Sequence, residues 1–160
     1  MLTITPEDHG SFDSVELMKE LSMTLTEITG DSGQSSFDPD DVRTPNAFFV
    51  IARNLQGQAV GCGAFRPLQN GVAEVKRMYS RPGTSGVGSA ILAFLEAEAK
   101  TRDYQALWLE TRVVNHCAVS FYERREYKKI PNFGKYIGNT KAVCFEKWLT
   151  RRSSGAAQPA

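Results

Sequence analysis

Cysteine and histidine are scarce in these 160 residues, three of the one and two of the other. Cys62, Cys117 and Cys144 are an odd, scattered set. They lack the close pairs of a zinc site and the density of a disulfide scaffold, and are expected to be small core hydrophobes. His9 and His116 have no ligand-spaced partners, so both are read as surface or capping residues and no metal is expected. A surplus of one charge is also lacking. Nineteen basic residues stand against 18 acidic ones, a formal charge of +1 with no long block of either sign, which argues against a nucleic-acid or membrane partner and for a small molecule. No apolar run approaches the roughly 20 residues that span a bilayer, and MLTITPEDHG has neither the basic patch nor the apolar run of a signal peptide. A cytoplasmic location is expected. Gly-Lys-Ser/Thr does not occur, which excludes a P-loop.

What is present is enough for one buried core: 41% of the residues are apolar. A single domain over 1–149 is expected, with the polar tail RRSSGAAQPA (about 150–160) disordered. LTIT (2–5) reads as a strand. Asp13 and Glu16 offer a capping box, and Val15, Met18, Leu21, Leu25 and Ile28 recur at helical spacing up to Gly30. DSGQSSFDPDD is a polar, turn-rich loop leading to a short helix near Pro39 to Val42. Three β-type runs follow, 47–52, 59–68 and 72–80, divided by Gln56-Gly57 and Asn70-Gly71, and they predict an antiparallel meander.

After the meander the pattern becomes strand-helix alternation. Gly86-Val87-Gly88 opens a helix with Val87, Ala90, Ile91, Phe94 and Leu95 on one face, running to about Arg102. ALWLE (106–110) is a strand, His116 to about Arg125 a helix capped by Asn115, and AVCFEKWL (142–149) the final strand. The class is therefore α+β (mixed α/β), a mixed sheet with helices on its faces. Ligands in such sheets favour the place where strands diverge.

Strand, glycine turn and helix in EVKRMYSRPGTSGVGSAIL form a natural phosphate cradle, because the first amides of a helix are unpaired and its dipole is positive there. Gly86 and Gly88 let a phosphate approach without a Cβ in the way. An ordinary strand-to-helix turn explains the same glycines. A dinucleotide fold would want a third glycine at Ile91, although Glu110 ends the next strand at a suitable distance.

Taken together, residues 73–127 resemble the GNAT superfamily of acyl-CoA-dependent N-acetyltransferases. AEVKRMYSRP is similar to that family's central strand, GVGSAILAFLEAEAK to its pyrophosphate turn and helix, and LETRVVNHCAVSFYERREY to the next strand and the helix bearing Asn and Tyr. The remaining segments fit the family's order of elements over about 1–149. The resemblance implies a mostly antiparallel mixed sheet, splayed at the cofactor groove, and acetyl-CoA as the acyl donor. Two positions depart from the pattern. Gly83 stands where Arg or Gln is usual, so that pyrophosphate would rest on backbone amides with help from Arg81. Glu126-Tyr127 replaces the usual Gly-Phe or Gly-Tyr, which leaves the local turn geometry open.

The resemblance also distributes roles. Amides around Met78, Tyr79 and Ser80 bind the pantetheine arm and polarise the thioester carbonyl, while Thr84, Ser85, Gly86, Val87, Gly88 and Ser89 hold the pyrophosphate. Asn115 hydrogen-bonds the arm or caps its helix. Tyr122 gives a proton to the departing sulfur, chemistry suited to a phenol and a thiol whose pKa values are about 10 and 8.5, or simply packs its ring. Glu74 is a base, or the partner of a neighbouring cation. By strand alternation Glu74 shares a face with Met78. Phe133 and Tyr136 wall the acceptor pocket or cover the edge of the core. Cysteine and histidine show no acyl-enzyme arrangement, so direct transfer to a small or amino-acid-like primary amine in a ternary complex is expected. A coenzyme-A-binding sensor without turnover and a small NAD-binding oxidoreductase are the alternatives. An exposed last strand could pair two copies as a homodimer.

Overall fold

The computed structural model describes residues 1–30 and 47–150. The expected helix near Pro39 to Val42 and the tail lie outside them. In chain order the elements are β1 (Thr3–Pro6), α1 (Phe12–Thr29), β2 (Phe48–Arg53), β3 (Ala59–Gln69), β4 (Val72–Ser80), α2 (Val87–Thr101), β5 (Ala106–Arg112), α3 (His116–Arg124), β6 (Lys128–Ile130), a 3-10 turn (Gly134–Tyr136) and β7 (Ala142–Trp148). One seven-stranded sheet runs β1-β2-β3-β4-β5-β7-β6. Among the described residues only β4 and β5 pair in parallel; every other neighbour is antiparallel. This is the mixed sheet that the sequence predicts.

Alternation along the strands separates two faces. Phe48, Val50 and Ala52 of β2 join Ala73, Val75, Leu107, Leu109 and Phe145 beneath α2 and α3. Phe49 and Ile51 point the other way, to Leu17 of α1. On that second face Phe133 and Tyr136 cover Trp108, Ala142 and Cys144. Helix α2 sits close to the sheet because β3 carries glycine beneath it. A Cβ on Gly61 would lie 2.6 Å from both the Tyr79 carbonyl oxygen and Val87 Cγ1.

Several sequence expectations change. Ser11, not Asp13, caps α1: its hydroxyl accepts from Ser14 N at 3.2 Å, while Asp13 accepts from Arg53 Nη2 at 2.8 Å. The buried stripe of α1 runs through Ser14, Leu17 and Leu21, which leaves Val15 and Ile28 exposed. β6 was not predicted, since Lys-Lys-Ile is too short to show a period. β7 lies inside the sheet between β5 and β6, so the last strand is no free edge for a second copy. Cys62 and Cys144 are buried, but Cys117 is exposed.

Glu126, where the family resemblance wants glycine, takes φ 72°. An L-residue is strained there by about 1 kcal/mol. Two substitutions should therefore move stability in opposite directions in urea denaturation. Gly61→Ala forces α2 from the sheet and loses about 2 kcal/mol. Glu126→Gly relieves the left-handed turn and gains about 0.5 kcal/mol after the entropy of the added glycine is subtracted.

Candidate active site

β4 and β5 are joined only at Val72/Ala106, Ala73/Leu107 and Glu74/Trp108. Beyond those pairs the strands separate, and the amides and carbonyls of β4 have no strand partner on that side among the described residues. The separation coincides with a β-bulge. Cys62 pairs with Tyr79 and Ala64 with Lys76, so Gly63 alone opposes both Arg77 and Met78. Arg77 takes φ 58°, strained backbone in a side chain that is almost wholly buried. It is fixed from three sides. The Cys62 thiol donates to the Arg77 carbonyl at 3.3 Å, and the guanidinium donates to the Met18 carbonyl at 3.4 Å and to Ser22 Oγ at 3.3 Å on α1. Burial pushes the Cys62 thiol up to about 12, so it remains a donor across the working pH range.

The bulge reverses the parity of β4. Met78 packs with the α2 cluster, among Val75 and Ile91, whereas Glu74 bonds to Arg66 and Tyr136 on the other face. The expectation that Glu74 and Met78 share a face fails for this reason.

A cavity of about 290 Å³ fills the opening. Its walls come from β4 (Glu74 to Ser80), β5 (Leu109 to Arg112), the second half of α1, and Asn115, Ala118, Tyr122 and Tyr136. Met78, Tyr79, Ser80, Asn115, Tyr122, Glu74 and Tyr136, all singled out in the sequence, thus meet at one place. Asn115 also caps α3, its Oδ1 accepting from Ala118 N at 3.2 Å. Phe133 does not line the cavity; it packs 5.1 Å from the Trp108 ring and covers the core edge. The side chain of Tyr79 turns to α1 and donates to Glu20 at 3.1 Å.

Residues 84–89 lie outside the cavity walls, at the start of α2. Gly86 caps that helix with φ 74° and no side-chain bond, and the first helical bond runs from Ala90 N to the Gly86 carbonyl. No atom outside the chain neighbours comes within 4 Å of a Cβ built on Gly83 or Gly86. The first-turn amides of Val87, Gly88 and Ser89 have no backbone acceptor among the described residues and lie at a positive helix end. Gly88 serves packing instead, since its Cβ would lie 3.2 Å from Ser80 Oγ and 3.3 Å from the Phe121 ring. Arg81 does not face this turn. Its guanidinium is clamped to Glu20 by bonds of 3.0 and 2.8 Å.

Tyr122 packs among Phe121, Tyr127 and Phe145 with its hydroxyl unbonded among the described residues. Burial raises its proton affinity, so the phenol stays protonated. Glu74 is fully buried and accepts from Arg66 Nη2 at 2.8 Å and from Tyr136 OH at 3.1 Å, with Lys76 Nζ 3.8 Å away. The sequence reading missed Lys76, Arg77, Glu110, Thr111 and Arg112 on the walls. Continued alternation of β5 past Trp108 would have found Glu110 and Arg112. His116 and Cys117 are chain neighbours, but adjacent helix residues do not face each other and neither lines the cavity.

Residues 15–127 match the family model described as Acetyltransferase (GNAT) family. The chain belongs to the GNAT acetyltransferase family. It is 30% identical over 138 residues to an IAA acetyltransferase of Azospirillum brasilense, an alignment covering 84% of this chain and 90% of that protein. The structure of a Klebsiella pneumoniae protein described as an acyl-CoA N-acyltransferase superposes with a TM-score of 0.79 at 31% identity, over 94% of this chain and 99% of that one. A GNAT family acetyltransferase from Elizabethkingia anophelis, solved with acetyl-CoA bound, shares the fold at TM-score 0.67 and 16% identity, over 92% and 97% of the two chains. This GNAT chain is thus an acetyltransferase, and its single parallel strand pair does not form a doubly wound dinucleotide sheet.

Within this acetyltransferase the Glu74 cluster has a measurable structural role. Glu74→Gln leaves the mostly buried Arg66 guanidinium facing a neutral amide. A loss of about 2 kcal/mol is expected, read as a lower midpoint in urea denaturation.

Proposed function

We propose that this enzyme transfers the acetyl group of acetyl-CoA directly to the primary amine of a small or amino-acid-like acceptor, with both substrates bound at once. The opening between β4 and β5 carries this reading. Its walls hold the Glu74 and Glu110 carboxylates and end along β4 at Ser80, and the start of α2, which has no side-chain cap, follows that strand in the chain. Acetyl-CoA fits the donor set: amides of β4 without a strand partner among the described residues, open glycines at 83 and 86, and a positive helix end for diphosphate. It would supply an acetyl group already activated as a thioester.

In this reading the amides of Met78, Tyr79 and Ser80 hold the arm and polarise its carbonyl. Thr84, Ser85, Gly86, Val87, Gly88 and Ser89 form the diphosphate turn, and Asn115 orients the arm while capping α3. Tyr122 holds a proton for the departing sulfur; its protonated phenol and lack of a bonded partner support that role. Carboxylates and cations both line the cavity, Glu74 and Glu110 beside Lys76 and Arg112. Such a wall suits an acceptor that carries both an ammonium and an acid. Direct transfer is supported by the absence of Cys62, Cys117 and Cys144 from the cavity walls among the described residues.

Thiol release from acetyl-CoA, screened over amines, amino acids and peptides, tests the reading. Turnover is expected with amine acceptors, and Tyr122→Phe, which keeps the ring packing, should lower kcat about 100-fold while acetyl-CoA binding by calorimetry is retained. Absence of acetyl-CoA binding by the native enzyme would overturn the proposal. An unchanged kcat in Tyr122→Phe would remove the acid role alone.

A further inference from the structure

Two carboxylates face the acceptor side of the cavity, and their bonding differs. Both oxygens of Glu74 are taken, Oε1 by Arg66 and Oε2 by Tyr136, and its side chain is 1% exposed. Glu110, two residues from Arg112 on the same face of β5, is held through Oε2 by that residue alone. Its Oε1 has no donor among the described residues, and the side chain remains 8% exposed. A proton acceptor needs a free lone pair and access to the cavity. Glu110 offers an oxygen with no donor on it among the described residues and the greater exposure, whereas each Glu74 oxygen already accepts a hydrogen bond and the group is held between Arg66 and Tyr136.

We propose that Glu110, and not Glu74, takes the proton from the acceptor's ammonium, while Glu74 is a positioning residue that fixes Tyr136 and Lys76. This rests on the amine-acetyltransfer reading above. The ammonium gives one proton to Glu110 Oε1, which later passes it to solvent. The freed nitrogen lone pair forms the bond to the acetyl carbon as the carbon–sulfur bond breaks. The sulfur takes the Tyr122 proton, and the second proton lost by nitrogen restores Tyr122. One amide, one thiol and one released proton result.

The surroundings agree with the chemistry. Desolvation raises the proton affinity of Glu110, and Glu74 adds to the rise, while Arg112 and Lys76 oppose it. The groups facing it are Arg112 on β5, Glu74 and Lys76 on β4, Tyr136 after β6, and Cys144 on β7. Burial raises Tyr136, and lifts Cys144 to about 11, so neither titrates where a carboxylate does. Glu110 must be deprotonated to work, so kcat should rise with pH through a midpoint above the ordinary carboxylate value and then level off.

The deciding experiment is the pH profile of kcat for the native enzyme, Glu110→Gln, Glu110→Asp and Glu74→Gln, with acetyl-CoA affinity measured alongside by calorimetry. Glu110→Gln should lose about 100-fold in kcat together with the acidic limb, at native acetyl-CoA affinity. Glu110→Asp should recover part of the rate, and Glu74→Gln should keep the limb. A native profile without an acidic limb, an acidic limb surviving in Glu110→Gln, or one lost in Glu74→Gln would overturn the assignment. A native enzyme that binds no acetyl-CoA and acetylates no amine would instead overturn the functional reading itself, and the assignment with it.

Discussion

Past Glu74 the backbone of β4 has a strand on only one side. Buried amides and carbonyls are seldom left unpaired, and the stretch from Val75 to Ser80, without a strand partner on that side among the described residues, is suited to water or a ligand. The rest of the molecule keeps it that way. Arg77 holds a strained left-handed turn, the Cys62 thiol fixes its carbonyl, and its side chain ties the bulge to α1. The ladder to β5 ends at Glu74, shortly before the bulge, and the sheet is open from there on.

The same bulge assigns the two faces. Met78 goes to the α2 side, next to the open start of that helix, and Glu74, Lys76 and Arg77 go to the α1 side with Tyr136. Donor and acceptor in the proposed reaction would then approach the opening from opposite faces. Gly61 and Gly88 serve the arrangement differently from Gly86. The first two let α2 lie close to β3, Ser80 and Phe121, and the last supplies a left-handed cap without a side chain.

Much of this was legible in the sequence, because its signals were local. Gly57, Gly71 and Gly86 mark turns that require positive φ, Gly30 ends α1, and Asn115 caps α3. What was missed depended on distant partners. Nothing beside Arg77 announces a bulge, since the constraint comes from β3 and α1, and one extra residue is enough to separate Glu74 from Met78. Arg53 draws Asp13 away from the helix start and leaves the cap to Ser11. β7 inserts beside β5, a matter of topology that period-2 alternation does not encode. Glu110 showed in the sequence only as an acid at a strand end, and its free oxygen became visible once Arg112 was found on the other.

Backbone amide shifts on titration with acetyl-CoA test the central claim most directly. The account predicts that the amides of Met78, Tyr79, Val87, Gly88 and Ser89 move together and saturate with one affinity. Shifts confined to the hollow lined by Asn70, Gly71 and Gln105, with those five amides unmoved, would contradict it.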